Sequence, residues 1–305
     1  MTPSEYPTPM KRSRFQGARR ACTALLVSVL AGCAHMPEVP LRPDTIYVIT
    51  GRNELIRFNA GRPGYLDEVV QVKGLQPDET VLGMDFRPAN GRLYVAGSSG
   101  RLYTLDTKTG AATQVGSGSI ASALTGLEAG FDFNPVADRI RMVDSAGNNI
   151  RVHPDTVEMI DGNAMIPGMQ PDRKLAYSAE DTNAGRISRV AAVAYTRGAG
   201  AKTTTNYAIE AAQATLVTIG RPEGTTPAKT PSNPNEGQLF TVGRLGVMTG
   251  IRVSFDIHPQ RNSAYASFLE NDRSVLYEIN LASGTAKRIG DIGLGLVVRG
   301  LAIAP

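Results

Sequence analysis

Tryptophan is absent, cysteine occurs twice and histidine three times in 305 residues, and each scarcity removes a class of chemistry. Aromatic side chains are only 6% of the chain, so it offers few of the flat platforms on which sugars stack. Both cysteines, Cys22 and Cys33, lie near the N-terminus. The rest of the sequence therefore has no disulfide, no cysteine zinc site and no thiol nucleophile. His35, His153 and His258 stand far apart, and no His-Glu-x-x-His pattern brings two of them onto one face; a histidine metal site needs several ligands converging. There is no Gly-x-Ser-x-Gly elbow and no Gly-x-x-x-x-Gly-Lys-Ser/Thr loop, so neither a serine-elbow hydrolase nor a nucleotide site is expected. Nor does any apolar run reach the roughly 20 residues that span a bilayer as a helix.

What the N-terminus does contain is patterned. Lys11, Arg12, Arg14, Arg19 and Arg20 precede an apolar run, Ala21 to Ala31, and then Leu30-Ala31-Gly32-Cys33. A basic stretch followed by a short apolar one is the build of a secretion signal. The four residues ending at Cys33 resemble the lipobox of bacterial lipoproteins, in which the cysteine is acylated and becomes the mature N-terminus. That resemblance implies a signal peptide over 1–32, a lipid-bearing Cys33 opening a proline-rich tether to residue 43, and a single domain over 44–305. Fatty-acyl (palmitate-type) chains on Cys33 would anchor the protein in membrane lipid, because two or more chains bind stably where one does not. Ala34, where inner-membrane lipoproteins usually carry Asp, points to the outer membrane, periplasmic or surface-facing. An ordinary signal peptide that leaves a free thiol is the alternative.

Charge changes meaning once that segment is set aside. Of 32 basic and 28 acidic residues, five and one fall within residues 1–32, leaving 27 of each. A nucleic-acid binder carries a basic face, and this balance gives no encouragement for one, so no nucleic-acid partner is expected.

Beyond the tether the sequence is all-β in character: short runs such as Ile46-Tyr-Val-Ile, Leu93-Tyr-Val-Ala and Leu276-Tyr-Glu-Ile, separated by Gly, Asn, Asp and Pro. Three segments share one template. Asp85-Phe-Arg-Pro, Asp132-Phe-Asn-Pro and Asp256-Ile-His-Pro each lead through a polar turn into a new strand. Val190-Ala-Ala-Val-Ala194 and Gly300-Leu-Ala302-Ile-Ala-Pro305 are weaker copies with Ala at the Asp position. These markers are separated by 47, 62, 62 and 46 residues, and a repeat of about 40–50 residues with several strands marks a propeller blade. The sequence ends at Pro305, where the template calls for a further strand, and Asp44-Thr-Ile-Tyr-Val-Ile49 supplies that strand near the start. A five-bladed β-propeller closed by pairing the C-terminal strand with the N-terminal strands is therefore expected. Six blades fit if a 62-residue interval hides a degenerate unit. The stretch Arg221 to Gly237, rich in Pro, Thr and Asn, reads as a long loop inside the fourth unit.

These motifs resemble DUF4394, a bacterial family catalogued as a domain of unknown function. The resemblance rests on Gly83-Met-Asp-Phe-Arg-Pro, Gly130-Phe-Asp-Phe-Asn-Pro-Val-Ala-Asp-Arg-Ile-Arg, Asn149-Ile-Arg-Val-His-Pro-Asp, Ala194-Tyr-Thr, Pro234-Asn-Glu-Gly and Arg299-Gly-Leu-Ala-Ile. It implies a propeller-like repeat fold and no particular activity. His153 stands where the family has Asn, and Val157 where it favours Gly; a local loop difference accounts for both.

Two groups of polar residues are candidates for chemistry. If the strand before each proline is innermost, Asp85, Asp132 and Asp256 ring a central channel, where they would bind a cation such as Ca²⁺ or serve in acid–base work. Alternatively each accepts hydrogen bonds from backbone amides of the adjacent turn or blade. Recurrence at equivalent positions favours this second reading, since a catalytic group is usually unique to one repeat. In the second repeat, Arg139 and Arg141 share a face by their spacing, as do Asn149 and Arg151, forming either a ligand site or a solvated surface. The function this supports is a membrane-anchored envelope module that binds or scaffolds a protein or small ligand, with no cofactor expected. A hydrolase or lactonase of propeller type, using channel carboxylates and a divalent cation, is the rival.

Overall fold

The computed structural model describes residues 39–305 apart from 121–123, 126–127, 197–201 and 223–232. The expected signal peptide, Cys33 and the first half of the expected tether lie outside the described residues. Among the described residues the regular structure is twenty β-strands and one 3₁₀ turn, arranged in five small sheets.

Each sheet is a blade whose first strand is innermost. The first blade is β20 (Val298–Ile303), β1 (Thr45–Thr50), β2 (Glu54–Asn59) and β3 (Glu68–Gln71). The second is β4 (Val81–Phe86), β5 (Leu93–Gly97), β6 (Leu102–Leu105) and β7 (Ala112–Val115). The third holds β8 (Ala129–Asn134), β9 (Arg139–Asp144) and β10 (Asn149–Val152), with one further bridge between Val152 and Met159 at its outer edge. The fourth is β12 (Val190–Tyr195), β13 (Asn206–Glu210), β14 (Thr215–Ile219) and β15 (Gln238–Arg244). Along its outside β11 (Ala176–Tyr177) pairs in parallel with β15. The fifth is β16 (Val253–Ile257), β17 (Ala264–Glu270), β18 (Arg273–Ile279) and β19 (Ala286–Asp291).

The expected closure is present. β20 pairs antiparallel with β1, setting Val48 opposite Leu301 and Tyr47 opposite Ala302. The last strand and the first strands thus complete one sheet, and neither is left as an unpaired strand. There are five blades and not six. The first 62-residue interval holds the loop from His153 onward and then β11, which joins the next blade; the second holds the connection between β14 and β15 that the sequence placed in the fourth unit.

Why the blades pack is visible in the core. Buried apolar residues fall into five clusters, one at each seam between neighbouring blades. Period-two alternation gives each blade two apolar faces, and each face meets the next blade. Two residues before every template marker stands a small residue: Gly83, Gly130, Ala192, Ser254 and Gly300. A β-carbon on Gly83 would lie 2.5 Å from that of Phe131, and one on Gly130 would lie 2.9 Å from the Ala192 α-carbon. The inner strands therefore approach backbone to backbone at this level and close the axis. The void left there is about 10 Å³, no more than the least that one water needs. The central passage is thus narrowest at this level.

Candidate functional site

The pocket at the axis is built by the repeat template itself. The strand before each proline runs toward one end of the ring, and the proline ends it by fixing φ and removing a donor. Pro88, Pro135, Pro259 and Pro305 consequently form a collar around a mouth of about 70 Å³, with Phe86, Phe133, Tyr195, Ile257 and Ile303 in its wall. Its floor is Asp85, Asp132 and Asp256, all buried, each offering an oxygen within 4.8 Å of the others.

Both readings of these aspartates are partly realised. They converge, as a ligand or catalytic site requires. They are also latches. Asp85 Oδ2 accepts from the Phe133 amide at 2.9 Å, Asp132 Oδ1 from the Tyr195 amide at 3.0 Å, and Asp256 Oδ2 from the Ile303 amide at 2.6 Å. In each case the donor lies one residue past the template marker on the next inner strand. Where that marker is Ala194 or Ala302, no carboxylate reaches forward. The amide of the following blade is then met by its own aspartate: Ile257 donates to Asp256 Oδ1 at 2.5 Å, and Phe86 hydrogen-bonds Asp85. Three carboxylates thus serve five inward-pointing amides, which would otherwise be buried and unpaired at a cost of about 1–3 kcal/mol each.

Such crowding has an electrostatic consequence. Burial pushes the Asp85 carboxyl well above the ordinary range, and the charge of Asp256 adds to this against the opposing Phe133 and Phe86 amides. Asp132 is also raised well above it, by burial and then by the charges of Asp85 and Asp256. Burial takes Asp256 up to about 7, with the Ile303 and Ile257 amides pulling the other way. With one oxygen of each carboxylate within 4.8 Å of the others in a buried site, burial and mutual repulsion both favour the protonated form of these groups.

The second group of candidates is drawn into a different structure. Arg141, 2% exposed, donates to Asn149 Oδ1 at 2.7 Å, Asp172 Oδ2 at 2.6 Å, Asn235 Oδ1 at 2.7 Å and the Tyr195 hydroxyl at 3.2 Å. Arg151 grips the other side of Asp172 at 2.8–3.2 Å. Asn149 Nδ2 donates to the Arg173 and Pro234 carbonyls. The network ties the loop after the third blade and the 3₁₀ turn Pro234–Glu236 to the seam between blades three and four. Arg139 is not part of it; its guanidinium folds onto the carbonyls of Ala137 and Asp138. Asp172, buried between the two arginines, was not singled out by sequence. It follows a proline in a loop without periodicity, and nothing local marks it.

His153 and His258 have a common explanation. Asn134 Oδ1 accepts from the amides two and three residues on, Val136 and Ala137. His153 Nδ1 does the same with Asp155 and Thr156, and His258 Nδ1 with Gln260 and Arg261. The imidazole nitrogen takes the place of an asparagine oxygen in an Asx-type turn. Val157 adopts φ +64°, a region that favours glycine.

The chain belongs to the DUF4394 family, a domain of unknown function. Its family model matches residues 54–302. No match to a curated protein was found. Among solved structures, the DUF4394 chain is similar to one in a crystal structure of a nidogen/laminin complex, at 11% identity and a TM-score of 0.47, covering 86% of this chain and 98% of that one. It is also similar to a structural-genomics protein of unknown function from Bacteroides thetaiotaomicron, at 13% identity and a TM-score of 0.47, over 85% and 67% of the two chains. A third similarity is to a Lactobacillus plantarum protein, at 15% identity and a TM-score of 0.39, over 86% and 71%. Likenesses this distant transfer no activity.

Proposed function

We propose that this DUF4394 chain is a lipid-anchored envelope protein, sited at the outer membrane, whose propeller binds or scaffolds a protein or small ligand. The single observation that carries the scaffold reading is that each aspartate of the floor accepts the amide of the next blade. The polar groups most suggestive of chemistry are engaged in holding the ring. Arg141, Asn149 and Arg151 are likewise spent on internal partners. Anchoring rests on the basic stretch, the short apolar run and Leu30-Ala31-Gly32-Cys33. Cys33→Ala is expected to abolish incorporation of radiolabelled fatty acid; unchanged labelling would refute it.

A second reading has one observation in its favour: three carboxylates within 4.8 Å of one another beneath an open mouth. That arrangement suits a divalent cation such as Ca²⁺ and, through it, a hydrolase or lactonase. A cation that binds only the folded state raises the melting temperature by mass action. A melting temperature unchanged between millimolar Ca²⁺ and EDTA removes this reading; a rise that Asp132→Asn abolishes would replace the scaffold reading with it.

A further inference from the structure

The described end of the tether occupies one particular end of the ring. The Arg42 amide donates to Asn59 Oδ1 and the Arg42 carbonyl accepts from Asn59 Nδ2, at 2.9 and 2.7 Å, beside the last residue of β2. The Arg42 guanidinium reaches Glu278 at 3.0 Å. Asp44, 1% exposed, accepts from the Tyr265 hydroxyl at 2.8 Å and from Arg261 Nε at 2.9 Å. Arg261 belongs to the turn that carries Pro259 and Gln260, both part of the pocket wall. The tether thus leaves the fold at the proline-collared end, over the seam between blades five and one.

The opposite end is defined by the starts of the inner strands. There Glu128 bonds Arg252 and Arg299 at 3.0 and 3.2 Å, and the connections carrying Met248 and Leu294 turn back toward the axis. A six-residue inner strand is about 20 Å long, and turns add to the depth at both ends.

We infer that the proline-collared mouth faces the bilayer and that the Glu128 end faces away from it. The inference rests on the anchoring reading above. Six peptide links separate Cys33 from Val39, and a fully extended chain spans at most about 3.6 Å per residue, roughly 20 Å in all. That reach lets the collared face or the adjoining edge of the ring meet the membrane surface. It does not let the tether run the depth of the ring and set the far end on the same surface. A ligand entering the pocket therefore comes from the membrane side, while the far end is presented to the aqueous compartment.

The test uses the acylated, full-length protein in liposomes whose lipid headgroups carry nitroxide quenchers. With Cys33 acylated no other thiol remains in the mature chain, so single cysteines label cleanly. Val136→Cys and Lys108→Cys place a fluorophore in exposed turns at the collared end, and Met248→Cys and Leu294→Cys at the far end. Quenching several-fold stronger at Val136 and Lys108 is expected, and inserting a 20-residue Gly/Ser segment after His35 should erase the difference. Equal or reversed quenching with Cys33 shown acylated by mass spectrometry overturns the orientation alone. An unacylated Cys33, with no binding to liposomes, overturns the anchoring reading and the orientation with it.

Discussion

Replacing Asp132 with Asn should stabilise the ring at alkaline pH, although it removes a buried, hydrogen-bonded acid. In the native site Asp132 Oδ1 accepts from the Tyr195 amide, and the carboxyl lies with those of Asp85 and Asp256 in one buried cluster. Asparagine is neutral: its oxygen takes the amide, and it adds no further charge beside Asp85 and Asp256. Asp132 is raised by burial and then by the charges of Asp85 and Asp256, and the scale of one such buried acid is illustrated by the neighbouring Asp256, which rises from 3.8 to about 7. A folded state that binds a proton more tightly than the unfolded one holds its full stability below the unfolded value of 3.8 and loses it as pH rises through the folded value near 7. At 1.36 kcal/mol per pH unit, one such group costs roughly 4 kcal/mol by pH 8, a large part of the 5–15 kcal/mol typical of a domain. Urea unfolding followed by far-UV circular dichroism, from pH 4 to pH 9, is the assay, since the chain has no tryptophan to report. The native protein should lose several kcal/mol over that range, and Asp132→Asn should lose less and be the more stable of the two at pH 8. Asp132→Ala should be less stable than Asn throughout, because the Tyr195 amide loses its acceptor. His258, whose buried imidazole resists protonation, contributes the opposite slope below about pH 6.5, but it is common to all three proteins and cancels. Asp132→Asn less stable than the native protein at pH 8 would refute the reasoning, and so would native stability that is flat or rising above pH 5.

Further expectations concern packing and the buried network. Gly130→Ala puts a β-carbon 2.9 Å from the Ala192 α-carbon and the Val193 nitrogen; the backbone must give, and a loss of about 1–3 kcal/mol is expected, read as a lower melting temperature. Gly246→Ala meets nothing within 4 Å, and its cost is confined to the left-handed backbone at φ +79°, about 1 kcal/mol. Asp172→Ala strands Arg141 without its carboxylate; breaking a buried pair from one side costs about 3–5 kcal/mol, and the same denaturant titration measures it. A smaller loss for Asp172→Ala than for Gly246→Ala would mean the network holds little.

The ring was legible because its repeat carries chemistry that physics restricts. A proline cannot continue an inner strand, an aspartate three residues before it recurs at equivalent positions, and Asp44-Thr-Ile-Tyr-Val-Ile supplies the strands that Gly300-Leu-Ala-Ile lacks. Those three features fix blade, axis and closure together. The convergence of Asp85, Asp132 and Asp256 followed from equivalence of position, but their double role did not. That the carboxylates share amides across seams depends on Ala194 and Ala302 leaving two amides unserved, a relation between blades that no single segment contains. Asp172 and Asn235 reach Arg141 from loops of no regular pattern, 31 and 94 residues away in sequence. β11, two residues long and paired in parallel with the following blade, lies below what alternation can reveal. That His258 does an asparagine's work in its turn is a matter of hydrogen-bond direction.

Ring closure is the claim on which blade count, pocket and orientation all depend, and a single cross-link tests it. Val48 and Leu301 are direct antiparallel partners from opposite ends of the described chain, and in a Cys22→Ala, Cys33→Ala background the doubly substituted Val48→Cys, Leu301→Cys protein has only these two thiols. Air oxidation should give one intramolecular disulfide joining 48 to 301, found by mass spectrometry of its peptides, with the β-sheet spectrum unchanged. Thiols that stay free, or that pair only between molecules, would place the two ends in separate sheets and dissolve the ring.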